Sequence, residues 1–473
     1  MTMILWLRRD LRTSDSPALT AALDSGCPLV PVFILDPETE ATAAAPKWRL
    51  GEAIGHFAKR LEEKGSRLIL RRGKAEEVLP ALAAEVGASD VHWTILHDRA
   101  ARDRDGRVAK ALQAKGIAAH AHHGHTLVPP EAISTGAGGH YKVYTPFWNA
   151  LRKHGVAAPA PSHRSFHAPE TWPASDRLGD WAMGAAMNRG AAVVAPYAVV
   201  GEEAASARFR AFLKRLDAYP RARDDMGEEG TSGLSENLTY GEIGPRTLWH
   251  AGMEALHDGS KGAELFLREL AWRDYAHHLL WHTPHLPDRS WRDGWQDFPW
   301  RKESRDAEAW RQGRTGQPIV DAAMRELFVT GTMHNRARMI VASYLTKHLL
   351  TDWRIGLAWF EETLTDWDPA SNALNWQWVA GSGPDASPFF RIFNPETQAK
   401  KFDAKGAYVA RWRAEGQAHP PKTALAFFDA APRSWKLDPK AKPAPALVDL
   451  GAGRQRALDA LASMREDRAN SED

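Results

Sequence analysis

Over the first 120 residues, short apolar runs alternate with capped helical segments, and this alternation constrains the fold more than any other feature of the chain. The apolar runs cover 3–7, 29–35, 68–70 and 91–96, with a last one starting at Ile117. Helical patterns at 47–64, 75–86 and 99–115 each stop at a glycine, Gly65, Gly87 and Gly116. Ser14-Asp15-Ser16-Pro17 supplies a further helix start, a cap with proline in the first turn. Strand and helix in this order build βαβ units, so the expected fold is α/β, a five-stranded parallel, doubly wound sheet. Such sheets take ligands at the carboxyl ends of their strands. Yet Arg8-Arg9-Asp10-Leu11-Arg12 follows the first strand where a Gly-x-Gly-x-x-Gly would stand, which argues against ordinary dinucleotide binding.

From about 155 to 200 the chain becomes rich in Ala, Pro, Gly and His without periodicity and reads as a long connector. Beyond it strand-like alternation disappears. Helical patterns take over at 203–216, 261–281, 318–330, 335–350 and 353–364, so the second part is expected to be all helix. The resulting plan is an α/β domain over 1–127, a linker over 128–200, a helical domain over 201–462 and a polar, frayed tail over 463–473.

Lys plus Arg number 61 against 59 Asp plus Glu, so nucleic acid would have to be met by local patches and not by global charge. The single cysteine, Cys27, excludes internal disulfides, cysteine-based zinc sites and cysteine-ligated iron–sulfur clusters. No stretch approaches the ~20 apolar residues of a membrane span, and the start is too short for a secretory signal, so a cytoplasmic protein is expected. His120, His122, His123 and His125 crowd the last strand. Neighbours alternate between faces and no partner carboxylate is evident, so no metal site is expected there. His278 and His282 lack the glutamate of a zinc-protease helix.

Fourteen of the twenty tryptophans follow residue 200, which directs attention to the helical part for unusual chemistry. Asp366-Trp367-Asp368-Pro369-Ala370-Ser371-Asn372-Ala373-Leu374-Asn375-Trp376-Gln377-Trp378 holds two carboxylates, three amides and three indoles in thirteen positions. That is too polar for core and too aromatic for a solvated loop; it suits a pocket around a flat, polar-edged ligand. Thr231-Ser232-Gly233-Leu234-Ser235 is a hydroxyl-rich turn able to hold phosphate, as ordinary turns of this composition also are. Glu269, Trp272 and Arg273 share one helix face, as do Asn335, Arg338 and Met339; each set could equally be a structural face.

In this order and spacing the motifs resemble the photolyase and cryptochrome family, from Leu7-Arg8-Arg9-Asp10-Leu11-Arg12 to Phe390-Arg391-Ile392-Phe393-Asn394-Pro395, and most resemble its class I cyclobutane pyrimidine dimer photolyases. The resemblance implies an α/β antenna domain and an all-α C-terminal domain that holds FAD. It places Tyr219, Thr231, Ser232, Leu234 and Ser235 at the FAD phosphates and ribityl chain, with Arg338 and Asp366 paired beside the ring, Asp368 at its polar edge and Asn372 facing it; Glu269, Arg273 and Asn335 also join the cofactor set. Glu269, Asn335 and Met339 would meet the two pyrimidines, between Trp272 and Trp378 as walls. Asn335-Arg336 stands where members that repair (6-4) photoproducts carry a His pair. Trp272, Arg273, Arg336, Trp378, Arg391, Lys400 and Lys401 would contact DNA, and Trp300, Trp353 and Trp376 match an electron-transfer chain. Arg99 replaces the glutamate of folate-binding members, so any second, antenna chromophore is expected to be a deazaflavin or FMN in preference to folate. The implied partner is damaged DNA, met by a monomer associated with the nucleoid. The runner-up is a cryptochrome-type photoreceptor without repair activity, and a more distant reading is an ordinary flavin oxidoreductase.

Overall fold

The computed structural model describes residues 1–385, 389 and 391–472, so Phe390 of the C-terminal motif and Asp473 of the tail lie outside the described residues. The chain forms two compact units. The first comprises Met1–Ala186, Val199–Asp217 and Ser232–Pro284; the second comprises Met187–Ala198, Ala218–Thr231 and the chain from His285 onward.

In the first unit, β1 (Thr2–Leu7), β2 (Leu29–Leu35), β3 (Ile69–Arg72), β4 (Ala88–Thr94) and β5 (Ala118–His122) form one sheet in the order β3-β2-β1-β4-β5, all parallel. Helices α1 (Pro17–Asp24), α2 (Ala44–Glu63), α3 (Ala75–Val86) and α4 (Arg99–Gln113) make the crossovers. β1 after Thr2 and the whole of β2 are apolar because both faces are covered. Met3, Leu5, Leu7 and Phe33 enter one core with α1 and α2, while Ile4, Trp6, Val32 and Trp93 enter the other with α3 and α4. The basic segment after β1 is spent on architecture: Arg8 pairs with Asp105 at 2.6 Å, and Arg12 donates to the carbonyls of Asp15, Gly124 and Gly241. Arg49, fully buried on α2, is held by Glu236 at 2.5 Å and Glu242 at 2.6 Å. Beyond the sheet, the unit adds α5 (Tyr144–His154), α6 (Glu202–Leu213), α7 (Pro245–His257) and α8 (Ala263–His282). The connector expected over 155–200 carries only short helical turns, and its Phe166 and Met183 close the first core.

The second unit is helical among the described residues: α9 (Arg305–Arg311), α10 (Pro318–Thr330), α11 (Asn335–Ser343), α12 (Trp353–Thr363), α13 (Pro369–Ala380), α14 (Pro395–Phe402), α15 (Ala407–Trp412), α16 (Lys422–Ala430) and α17 (Leu450–Glu472). Two expectations are corrected. The helix read to residue 350 gives way at Tyr344–His348 to a π-helical turn, where buried Lys347 donates to the Ala380 carbonyl at 2.8 Å and lies over the Phe389 ring. The tail expected from 463 is instead the end of α17, helical to Glu472, and upstream in the same helix Ala457 and Leu461 bury with Trp295, Phe298, Leu350 and Phe389. No described helix is long and apolar enough to cross a membrane.

Candidate functional site

The stretch 366–378 becomes the entry and body of α13. Asp368 caps this helix, its Oδ1 accepting from Ser371 N at 2.7 Å, Pro369 fills the first turn, and Gly381 at φ +90° ends it. Just before the cap, Asp366 is buried and accepts from Arg338 of α11 at 2.8 Å; the Arg338 Nε also donates to the Met333 carbonyl. One turn into α13, Asn372 is buried and uses an Nδ2 hydrogen on the Asp368 carbonyl at 3.0 Å. Asn372 keeps a carbonyl oxygen and a second N–H. A paired carboxylate, a capping carboxylate and a neutral amide thus line one polar end of an apolar helical unit. Such a donor and acceptor set fits the edge of a flavin ring, and a charge at that depth is tolerable because Arg338 neutralises it.

α11 opens on His334, whose Nδ1 accepts from Arg336 N at 3.1 Å. Burial holds this imidazole's pKa down at about 4, so it stays neutral and keeps the lone pair that caps the helix. Asn335 is exposed at the first helical position. Arg336 is tied to Asp224 at 2.8 Å and lies over the Phe402 ring, with its Nη1 3.6 Å from the Met339 sulfur. Tyr219 is buried beneath the Arg223 guanidinium, and Gly230 packs so tightly that a Cβ there would lie 1.9 Å from the Ala222 carbonyl oxygen. Thr231, beside it, is half-buried.

Trp376 is buried between Phe360, at 4.9 Å, and Trp310, at 6.2 Å, both edge to face. Trp353 is fully buried in the same core, and half-buried Trp300 packs on it and on Phe298. Trp378 is half-buried and lines a small depression with Ser343, Val379, Arg391 and Phe393. Lys400 and Lys401 are exposed together on α14, apart from that depression.

In the first unit, Ser232, Leu234 and Ser235 form a turn opened by Gly233 at φ +64°. Glu269, Trp272 and Arg273 do share a face of α8. Trp272 stacks on Tyr144 at 3.7 Å and 5°, and Arg273 donates to the His125 carbonyl at 2.7 Å.

Sequence reasoning missed several supports. Arg208, on α6, donates to the Gly233 carbonyl at 2.6 Å and steadies the hydroxyl-rich turn. Gln377, fully buried, donates to the Leu286 and Arg289 carbonyls and accepts from Trp291 N, which locks α13 to the remote loop at 286–291. These pairings join positions 25 to 91 residues apart, so no local pattern marks them. The reading of β5 is also corrected. His120 and His122 share a face, and Asp90 on the neighbouring strand supplies the carboxylate that local sequence does not reveal.

A family model described as the FAD binding domain of DNA photolyase matches residues 266–463, and one described as DNA photolyase matches residues 3–164. A deoxyribodipyrimidine photo-lyase of Agrobacterium fabrum is 41% identical over 472 residues, covering 98% of each chain. Among solved structures, a bacterial class III photolyase from Agrobacterium tumefaciens superposes with a TM-score of 0.88 at 40% identity, covering 98% of both chains. A cryptochrome from Synechocystis sp. PCC6803 superposes with a TM-score of 0.85 at 26% identity, covering 97% of this chain and 99% of its own.

Proposed function

The chain belongs to the photolyase and cryptochrome family, and from that premise we propose that it is a deoxyribodipyrimidine photo-lyase that repairs cyclobutane pyrimidine dimers in DNA under light. The observation that carries the reading is the buried polar end of α13, where Arg338, Asp366, Asp368 and Asn372 match the needs of FAD. The motifs point to class I, but a class III relative covers 98% of the chain, and we place the protein in class III. It acts as a monomer on nucleoid DNA in the cytoplasm.

When bound and reduced, FAD supplies a light-driven electron that splits the dimer and then returns, with no net redox change. The chain's own residues prepare for this. Arg338 and Asp366 hold the ring's polar edge with Asp368, and Asn372 faces it with an amide that, unlike a carboxylic acid, has no transferable proton. Tyr219, Thr231, Ser232, Leu234 and Ser235 hold phosphate and ribityl oxygens. For the flipped dimer, extracted at a cost of roughly a few kcal/mol, Glu269, Asn335 and Met339 serve as contacts and Trp272 and Trp378 as stacking planes, while Arg273, Arg336, Arg391, Lys400 and Lys401 hold the strand. Trp300, Trp353 and Trp376 carry electrons inward from the surface. A second chromophore would be a deazaflavin or FMN, since Arg99 is exposed where folate binding calls for an acid, and the absorption spectrum of the purified protein tests this.

The superposed cryptochrome supports one rival, a photoreceptor without repair. Incubating the flavin-reduced protein with dimer-containing DNA in blue light and in darkness separates the two. Repair only in light is expected, and intact dimers after illumination would leave the photoreceptor.

A further inference from the structure

β4 and β5 pair in parallel with His92 opposite His120 and Thr94 opposite His122. Side chains two residues apart on a strand share a face, so His120 and His122 of β5 stand on the same side as Asp90 and His92 of β4. Three imidazoles meet there: the His92 ring stacks on His120 with centroids 4.5 Å apart and on His122 at 5.2 Å. His120 Nε2 lies 2.7 Å from Asp90 Oδ1, and His92 Nδ1 lies 3.0 Å from His122 Nε2. One ligand atom from each of Asp90, His92 and His120 falls within 4.8 Å of the other two.

We propose that Asp90, His92 and His120 form a binding site for a divalent transition ion, zinc in the first instance, with His122 positioning His92. Tetrahedral bonds of about 2.0–2.2 Å to zinc set neighbouring ligand atoms roughly 3.4 Å apart, so the carboxylate and imidazole atoms need only small rotations to close on an ion. Three protein ligands leave one position for water. Two imidazoles and a single carboxylate select zinc-like ions over magnesium and calcium, which demand oxygen shells. A ligating imidazole is steadied when its second nitrogen is hydrogen-bonded. The His92–His122 contact does this, because His92 Nδ1–H donating to His122 Nε2 leaves the other His92 nitrogen with its lone pair. Asp90 and His120 are half-exposed, so an ion reaches the site from solution. The gain is structural, since β5 is an exposed edge strand of alanine and histidine only, and the ion would clip it to β4.

The test uses the full-length, flavin-loaded protein stripped with a chelator and titrated calorimetrically with zinc chloride. One zinc per chain is expected, with a higher thermal midpoint in the loaded form. His122→Phe should weaken affinity by roughly tenfold to a hundredfold, the usual cost of losing an outer partner, and His120→Gln or Asp90→Asn by at least as much. All three variants should keep normal flavin content and light-driven repair, which shows that they fold. Absence of stoichiometric zinc uptake by the parent protein, or undiminished affinity in folded variants, would overturn the assignment.

Discussion

At the scale of single residues, the candidate site depends on groups whose protonation is fixed by burial. His334 caps α11 only as a neutral imidazole, and its pKa is lowered from 6.5 to about 4, first by desolvation and then by Arg336 and Arg338, with Asp224 and Asp225 opposing. The folded chain therefore binds fewer protons than the unfolded chain between those values. Stability from this group is fully present above about pH 6.5 and is lost as the pH falls toward 4, at up to about 1.4 kcal/mol per pH unit. His334→Asn keeps a side-chain cap and removes the titration. Its thermal midpoint should gain on that of the parent protein between pH 7.5 and pH 5; an identical gap at both values would disprove the linkage. None of this was legible in the sequence, where His334 stood simply as the residue before Asn335. Arg338 and Asp366 are different: the resemblance names them as a pair, and the fold brings these positions, 28 residues apart, into contact at 2.8 Å as expected.

Elements were legible where the pattern is local and hidden where a neighbour decides. β2 and α3 run over the same residues that their apolar pattern predicts, because helix stops and buried strands are written in adjacent positions. The π-helical turn and the ordered α17 were not, since each depends on a side chain buried against a remote partner. Helical glycines make the same point testable. Gly106, in α4, has open space where a methyl would go, whereas at Gly356, in α12, a Cβ would lie 2.1 Å from the Trp376 ring. Gly106→Ala should therefore stabilise by about 0.5–1 kcal/mol through helix propensity alone. Gly356→Ala gains the same propensity but forces the indole aside, at a cost of roughly 1–3 kcal/mol. Thermal melts should move in opposite directions for the two variants. If Trp376 carries electrons, Gly356→Ala should also slow photoreduction of oxidised flavin while Gly106→Ala leaves it unchanged.

For the whole molecule, charge is the property that bears most directly on the proposed substrate. A net charge of +2 gives no general attraction to a polyanion, so DNA must be held by local cations. The segment 391–413 concentrates Arg391, Lys400, Lys401, Lys405, Arg411 and Arg413 against Glu396 and Asp403, and of these cations Arg391, Lys400, Lys401, Lys405 and Arg411 are exposed. Each phosphate neutralised steepens the fall of log affinity with log salt by about 0.9. Replacing Lys400 and Lys401 with Ala should flatten that dependence by about two units if both meet phosphate, read by mobility shift over roughly 50 to 200 mM salt. Phosphates carry no information about the lesion, so damaged and undamaged duplexes should lose affinity together and their ratio should hold. Trp378→Ala should do the reverse, leaving the salt slope intact while eroding the preference for damaged DNA, because an indole wall reads a flipped base and not the backbone. If the double lysine variant lost lesion preference with no change in slope, the basic segment would belong to the lesion pocket and the strand-holding role assigned to it would fall.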